Sequence, residues 1–234
     1  MNKIRKKKWN NFLRKVFPIG NLPVHPLYLN FRFSQDESEF TEQYYPKIIK
    51  RLRWMIAITT FIILSLQFID YGLTGIFMND AFIIRFEIFL PFSLFFFLLS
   101  FTSFYLNFYQ YINVLWLIMA GLGEILTIIL GPEITRPIII TGLVLFLVGS
   151  FILFGLKPHF ALISSSILLI CLLWALIYEN ILNSLYTWPI ILLSLITLFI
   201  GYYGGWKIEF LQRKLYWSLK QQKELSLKIL TSTS

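Results

Sequence analysis

Apolar residues run along the chain in six long blocks, at residues 54–76, 86–106, 112–130, 138–156, 160–182 and 189–206. A helix crossing a bilayer uses about 20 residues, so each block can form one span. The connectors are short, which makes consecutive spans antiparallel neighbours in one bundle. The pattern predicts an all-α integral membrane bundle of six transmembrane helices, with a cytoplasmic amphipathic region before it and an exit helix after it.

Outside the blocks the spacing is also informative. Trp9, Phe12, Leu13 and Val16 recur at helical intervals among Lys and Arg. That is the pattern of a basic amphipathic helix lying on an anionic leaflet, the alternative being an unstructured basic tail. Pro18, Gly20, Pro23 and Pro26 then mark residues 18–30 as a linker. Residues 33–53 resume a helical spacing that leads into the first span. Ser34 with Glu37 fits a capping box, and Pro46 is expected to interrupt or kink this helix. Pro91 should kink the second span. Gly121, Gly123, Gly142 and Gly149 allow close helix approach, while Gln67, Asn113 and residues 164–166 suit interhelical hydrogen bonds.

Composition agrees with the pattern. Of 234 residues, 57% are hydrophobic and 14% charged, too few charges for an ordinary soluble domain. Six spans leave no room for a soluble catalytic domain. The formal charge is +9, concentrated at residues 1–53 and 207–234, whereas residues 54–206 carry more acidic than basic side chains. Lys and Arg favour the cytoplasmic side of spans, so both termini are expected in the cytoplasm of a cell with this protein in its inner, plasma membrane. The expected divisions are 1–53, a basic cytoplasmic segment; 54–206, the six-span domain; and 207–234, a cytoplasmic signalling helix. Without a cleavable signal before residue 54, the first span serves for insertion. The bilayer is the expected partner. Nucleic acid is not, since no base-reading module accompanies the charge. The single cysteine, Cys171, excludes an intramolecular disulfide. His25 and His159 are far apart, and no HExxH, GxSxG or intramembrane aspartyl pair occurs. No catalytic residue, metal or cofactor is therefore assigned.

Ionisable side chains in lipid cost at least about 2.5–3.5 kcal/mol each and so mark function. At about 1.5 Å per residue, Asp70 lies about 24 Å from the inner boundary and Glu124 about 18 Å into the third span. Arg85 and Glu87 fall where the second span leaves the outer surface, and Glu179 near the outer end of the fifth. Asp70, Arg85, Glu87, Glu124 and Glu179 are thus the candidate polar cluster. It opens outward and suits a cation, a proton or a polar head group, with Arg85 countering Asp70 or Glu124. Glu124 leads, because a carboxylate so deep without a counter-charge is neutralised by a proton. The plainer reading is that Asp70, Glu87 and Glu179 reach interfacial water.

The chain continues past the sixth span without a breaker. Gly201 and Gly205 form GxxxG. Gly201, Gly204, Ile208, Leu211 and Leu215 then advance by alternating threes and fours, and the register continues through Ser218, Gln222, Leu225 and Ile229. A small or apolar stripe of this kind predicts a parallel homodimer joined by a short coiled coil. A single amphipathic helix on the inner leaflet is the alternative.

Residues 33–53, with Tyr44, Tyr45 and Pro46 before a basic run, together with Asp70, the six tight spans and the ending LSLKIL at 225–230, resemble the six-span N-terminal membrane module of bacterial, cyanobacterial-type class III adenylate or guanylate cyclases and related sensors. In that family an L-L-x-N-I-L-P-like ending precedes the catalytic domain; here Lys228 stands at the Asn place and Thr231 at the Pro. The resemblance implies a receptor and dimerisation module acting through its exit helix on a cyclase domain in cis or in trans. The 234 residues lack a cyclase's metal-binding aspartates and are expected to have no enzyme activity themselves. The alternative is a small ion- or proton-coupled transporter using Glu124, Asp70 and Arg85.

Overall fold

A computed structural model describes residues 23, 24, 29–31, 33–131, 135–152, 156–178 and 187–232. The basic segment 1–17, His25 and Glu179 lie outside the described residues. Among the described residues six helices follow one another: α1 (Ser34–Thr74), α2 (Asn79–Leu99), α3 (Ser103–Leu130), α4 (Arg136–Ile152), α5 (Pro158–Tyr178) and α6 (Thr187–Ser232). Five are long and apolar enough to cross a membrane, and α4 is a shorter apolar helix. This is a multi-pass helical membrane protein.

Side-chain placement follows from lipid as solvent. Large apolar groups such as Phe61 and Phe199 are 73% and 79% exposed, while Gln67, Asp70, Arg85, Asn113 and Glu124 are buried. In hydrocarbon, polar groups must find partners inside the bundle.

The chain divides into two compact units, Lys47–Gly205 and the combination of Met1–Pro46 with Trp206–Ser234. In the first, α3 packs against α2, α4 and α5. Ile125 and Ile128 of α3, Leu143 and Leu147 of α4, and Leu168 and Leu172 of α5 form its apolar core. Gly121 lies directly against Leu168, so a small residue there permits the α3–α5 approach. Ser150 and Ser165 hydrogen-bond at 2.9 Å between α4 and α5. Asn113 instead bonds within its own helix, to Tyr105 Oη at 2.7 Å and the Tyr109 carbonyl at 2.6 Å.

Several sequence expectations are corrected. The turn between the second and third spans lies at Ser100–Thr102 rather than residues 107–111, which are helical. Thr102 caps α3 by accepting the Tyr105 N–H at 3.3 Å. Arg53 closes the other side of the turn, donating to the Ser100 carbonyl at 2.7 Å with its guanidinium 4.0 Å from the Phe101 ring centre. A cation at a helix C-terminus satisfies free carbonyls and the dipole. Pro46 does not divide α1, which runs unbroken from Ser34 to Thr74. Glu37 accepts the Phe31 N–H and two Arg213 bonds, a long-range use in place of the expected capping box. Gly75 ends α1 at φ +66°, its N–H returning to the Tyr71 carbonyl at 2.8 Å.

Candidate functional site

Pro91 leaves its mark upstream, where residues Ile83–Phe89 of α2 form a π-helical segment. The Leu90 N–H reaches back to the Arg85 carbonyl, five residues earlier. The wider turn accommodates the proline ring and shifts the phase of the helix. Segments of this kind are rare and concentrate at functional sites. Arg85 lies within it.

Arg85 is 0% exposed and bridges three helices. Its Nη1 donates to Asp70 Oδ2 of α1 at 2.5 Å. Nε and Nη2 grip Glu124 of α3 as a fork, at 3.3 and 3.2 Å. The Thr127 hydroxyl adds 2.7 Å and 3.4 Å bonds to the Glu124 carbonyl and Oε2. Asp70 is four residues from the end of α1, Arg85 six from the start of α2, and Glu124 six from the end of α3. All three therefore meet at one end of the membrane unit. A fork to one carboxylate and a single bond to another fixes both orientations, and places two carboxyl groups around one guanidinium in a water-poor environment.

Glu124 also borders a cavity of about 280 Å³ between α1, α3 and α4, lined by Ile62, Leu66, Gly142, Leu143 and Phe146. Gly142 has no neighbour where a Cβ would stand. The cavity is apolar apart from Glu124 and Thr59.

A second charged cluster lies in the other unit. Arg213 of α6 donates to both Glu37 oxygens at 2.5 and 2.9 Å and to Glu209 Oε1 at 2.8 Å. Its guanidinium lies 4.4 Å from the Phe40 ring centre and 5.2 Å from that of Phe31. Lys220 donates to Asp36 at 2.7 Å and Glu39 at 2.6 Å, and Tyr216 donates to Glu39 at 3.1 Å. Beneath these pairs Val24, Leu29, Phe31, Phe40, Trp206 and Phe210 form an apolar core. Burial opposes the charge on Arg213, but the Glu37 hydrogen bonds and nearby Glu209 outweigh it and hold its pKa above the ordinary value. Bonds from Asp36 and Glu39 raise that of Lys220. Lys220 and then Tyr216 lower that of Glu39, while burial and Glu39 push Tyr216 up to about 12.

These directions set a pH dependence. Glu39, with its pKa depressed below 4.5, contributes stability that is whole above that unfolded value and lost as pH falls through the lower folded one. Lys220 acts at the other end, contributing below its ordinary 10.5 and losing that contribution as pH rises through the higher folded value. On acidification below 4.5, the fluorescence of Trp217, isolated as a difference from W217F, is expected to change as this unit loosens. E39Q should remove that part of the profile; an unchanged profile would count against it.

Of the sequence candidates, the structure brings Asp70, Arg85 and Glu124 together, and leaves Glu87 exposed. Arg85 is inside α2, not at its exit, because the helix begins at Asn79. The stripe is corrected at its root. Gly201 and Gly205 pack against Phe151 of α4, so a neighbouring span within this chain occupies the GxxxG surface reserved for a twin. Gly204 faces open space, Ile208 is half-buried, and Leu211 and Leu215 are exposed. Sequence reasoning missed Arg213 and Lys220, counting them only as net charge, and gave Glu37 only a local capping role. Opposed charges on the helices flanking the spans, Asp36, Glu37 and Glu39 against Arg213 and Lys220, were the available signal. No protein-family model, curated protein or solved structure matches the chain.

Proposed function

We propose that this protein is a six-span membrane anchor and receptor module, both termini cytoplasmic, that acts on a cytoplasmic signalling domain through α6, with a nucleotide cyclase in cis or in trans as the output implied by the resemblance. The observation that carries this reading is the far end of α6. It runs as one helix to Ser232, and residues 221–231 are all exposed. From Leu211 onward one stripe, Leu211, Leu215, Ser218, Gln222 and Leu225, lies uncovered along the rod. Three of these five positions are leucine, spaced for a broken coiled-coil seam. A second copy of the same helix, in parallel, covers it with matched residues.

Single cysteines at Leu211, Leu215 and Leu225, in a C171S background and in native membranes, are expected to give disulfide-linked dimers. Cysteines at Lys214 and Lys223, off the stripe, should cross-link far less. Failure at every stripe position would overturn the dimeric reading. The transporter alternative draws on the Arg85 cluster, and predicts proton-coupled uptake that is lost in E124Q.

A further inference from the structure

We propose that the Arg85 cluster is a proton-binding site, with one proton held on Oδ1 of Asp70 and shared with Oε1 of Gln67. The charge count comes first. Around the cluster α1 contributes Asp70, Gln67 and Thr74, α2 contributes Arg85, and α3 contributes Glu124 and Thr127. One guanidinium faces two carboxylates, and an unbalanced charge in so dry a place is neutralised by a bound cation or a proton.

The hydrogen bonds say which oxygen takes it. Both Glu124 oxygens receive guanidinium N–H groups, and Asp70 Oδ2 receives a third. Asp70 Oδ1 receives no donor, and neither does Gln67 Oε1. Both residues are deeply buried, Asp70 at 1% and Gln67 at 2% exposure, and three residues apart on α1 they share one helix face. The Gln67 amide is oriented by its Nε2, which donates to the Met78 carbonyl at 3.3 Å, so its oxygen remains an acceptor. Two buried acceptors with no donor are costly. A proton on Asp70 Oδ1 supplies the missing donor to both and cancels the surplus charge in one step. A neutral Glu124 would leave both acceptors unsatisfied and spend the fork of Arg85 on an uncharged group.

Two free oxygens suit a proton and not a metal ion, which requires about six oxygen ligands if it is a hard cation. Among the described residues no group of three His, Cys, Asp or Glu is placed to hold a metal. This inference does not depend on the signalling reading, because proton occupancy is measured on the protein itself.

Infrared spectroscopy of the full chain in lipid vesicles tests it. At neutral pH the native protein should show the carbonyl stretch of an un-ionised carboxylic acid, shifting in deuterium oxide. D70N should abolish the band, and Q67L should move it to the higher frequency of a less hydrogen-bonded acid. Absence of the band in the native protein, its survival in D70N or its failure to move in Q67L would overturn the assignment. If D70N fails to fold, Q67L decides: a band that does not move overturns it. Sodium titration separates the sources, since a band absent at all sodium concentrations, with sodium-dependent protection of the fold, means a metal cation occupies the cluster and the proton does not.

Discussion

Arg85→Met is expected to cost the membrane unit about 3–5 kcal/mol, the range for deleting one partner of a buried ion pair. Natural domains hold only about 5–15 kcal/mol in all, so the variant should stand near the limit of folding. Arg85 supplies N–H groups to Asp70 and to both oxygens of Glu124. Methionine fills similar space and returns none of them. R85K keeps the charge but loses the planar fork, and should recover only part of the loss. The informative companion is the triple variant R85M/D70L/E124L, in which all three polar groups go together. Buried ion clusters replaced by apolar residues are often neutral or more stable, so the triple variant should exceed R85M alone. Helix content followed during detergent-induced unfolding measures all three. Native stability in R85M, or a triple variant as weak as the single one, would show that the cluster does not tie α1, α2 and α3 together.

The same triplet shows what was readable beforehand. Asp70, Arg85 and Glu124 stand out in apolar runs because lipid penalises charge, and that penalty is legible one residue at a time. Their depth was not, since it depends on where helices start. The apolar run across residues 86–106 hides the turn at Ser100–Thr102, because Phe101 and Phe104 are as greasy as any span. Local backbone bonds, the Thr102 cap and Arg53, from another helix, close it. The phase of α2 was equally hidden: a proline announces a disturbance, but whether the helix kinks or widens into a π turn is decided by what packs around it. At the start of α6 the GxxxG spacing was visible and its partner was not. Phe151 lies fifty residues upstream of Gly201, and a close-approach surface carries no mark of which helix will use it. Beyond Leu211 the exposed leucines fall both on the expected stripe, at Leu215 and Leu225, and off it, at Leu219 and Leu227, because a rod in water need not hide any one face.

The second large effect is expected at Arg213. This side chain is buried, forks onto Glu37 and stacks on Phe40, so Arg213→Ala removes a charge partner and a packing surface together. A loss of about 3–5 kcal/mol is expected within this unit, read as faster hydrogen exchange across residues 34–46 and 206–217. The more exposed Lys220 pairs should each contribute far less, so K220A serves as the contrast. A cycle of R213Q, E37Q and the double variant should give a coupling of about 0.5–3 kcal/mol. R213K should not restore it, because a lysine can neither fork onto the carboxylate nor stack flat on Phe40. The consequence reaches the uncovered stripe. If the root of α6 is held by Glu37, the face that Leu211 and Leu215 present is fixed, and cross-linking should be confined to stripe positions. Loosened by R213A, the rod can turn, and cysteines at Lys214 should then link as readily as those at Leu211. Unchanged selectivity in R213A, alongside lost protection at residues 34–46, would mean that the coiled-coil register is set by the paired rods themselves and not by the clamp.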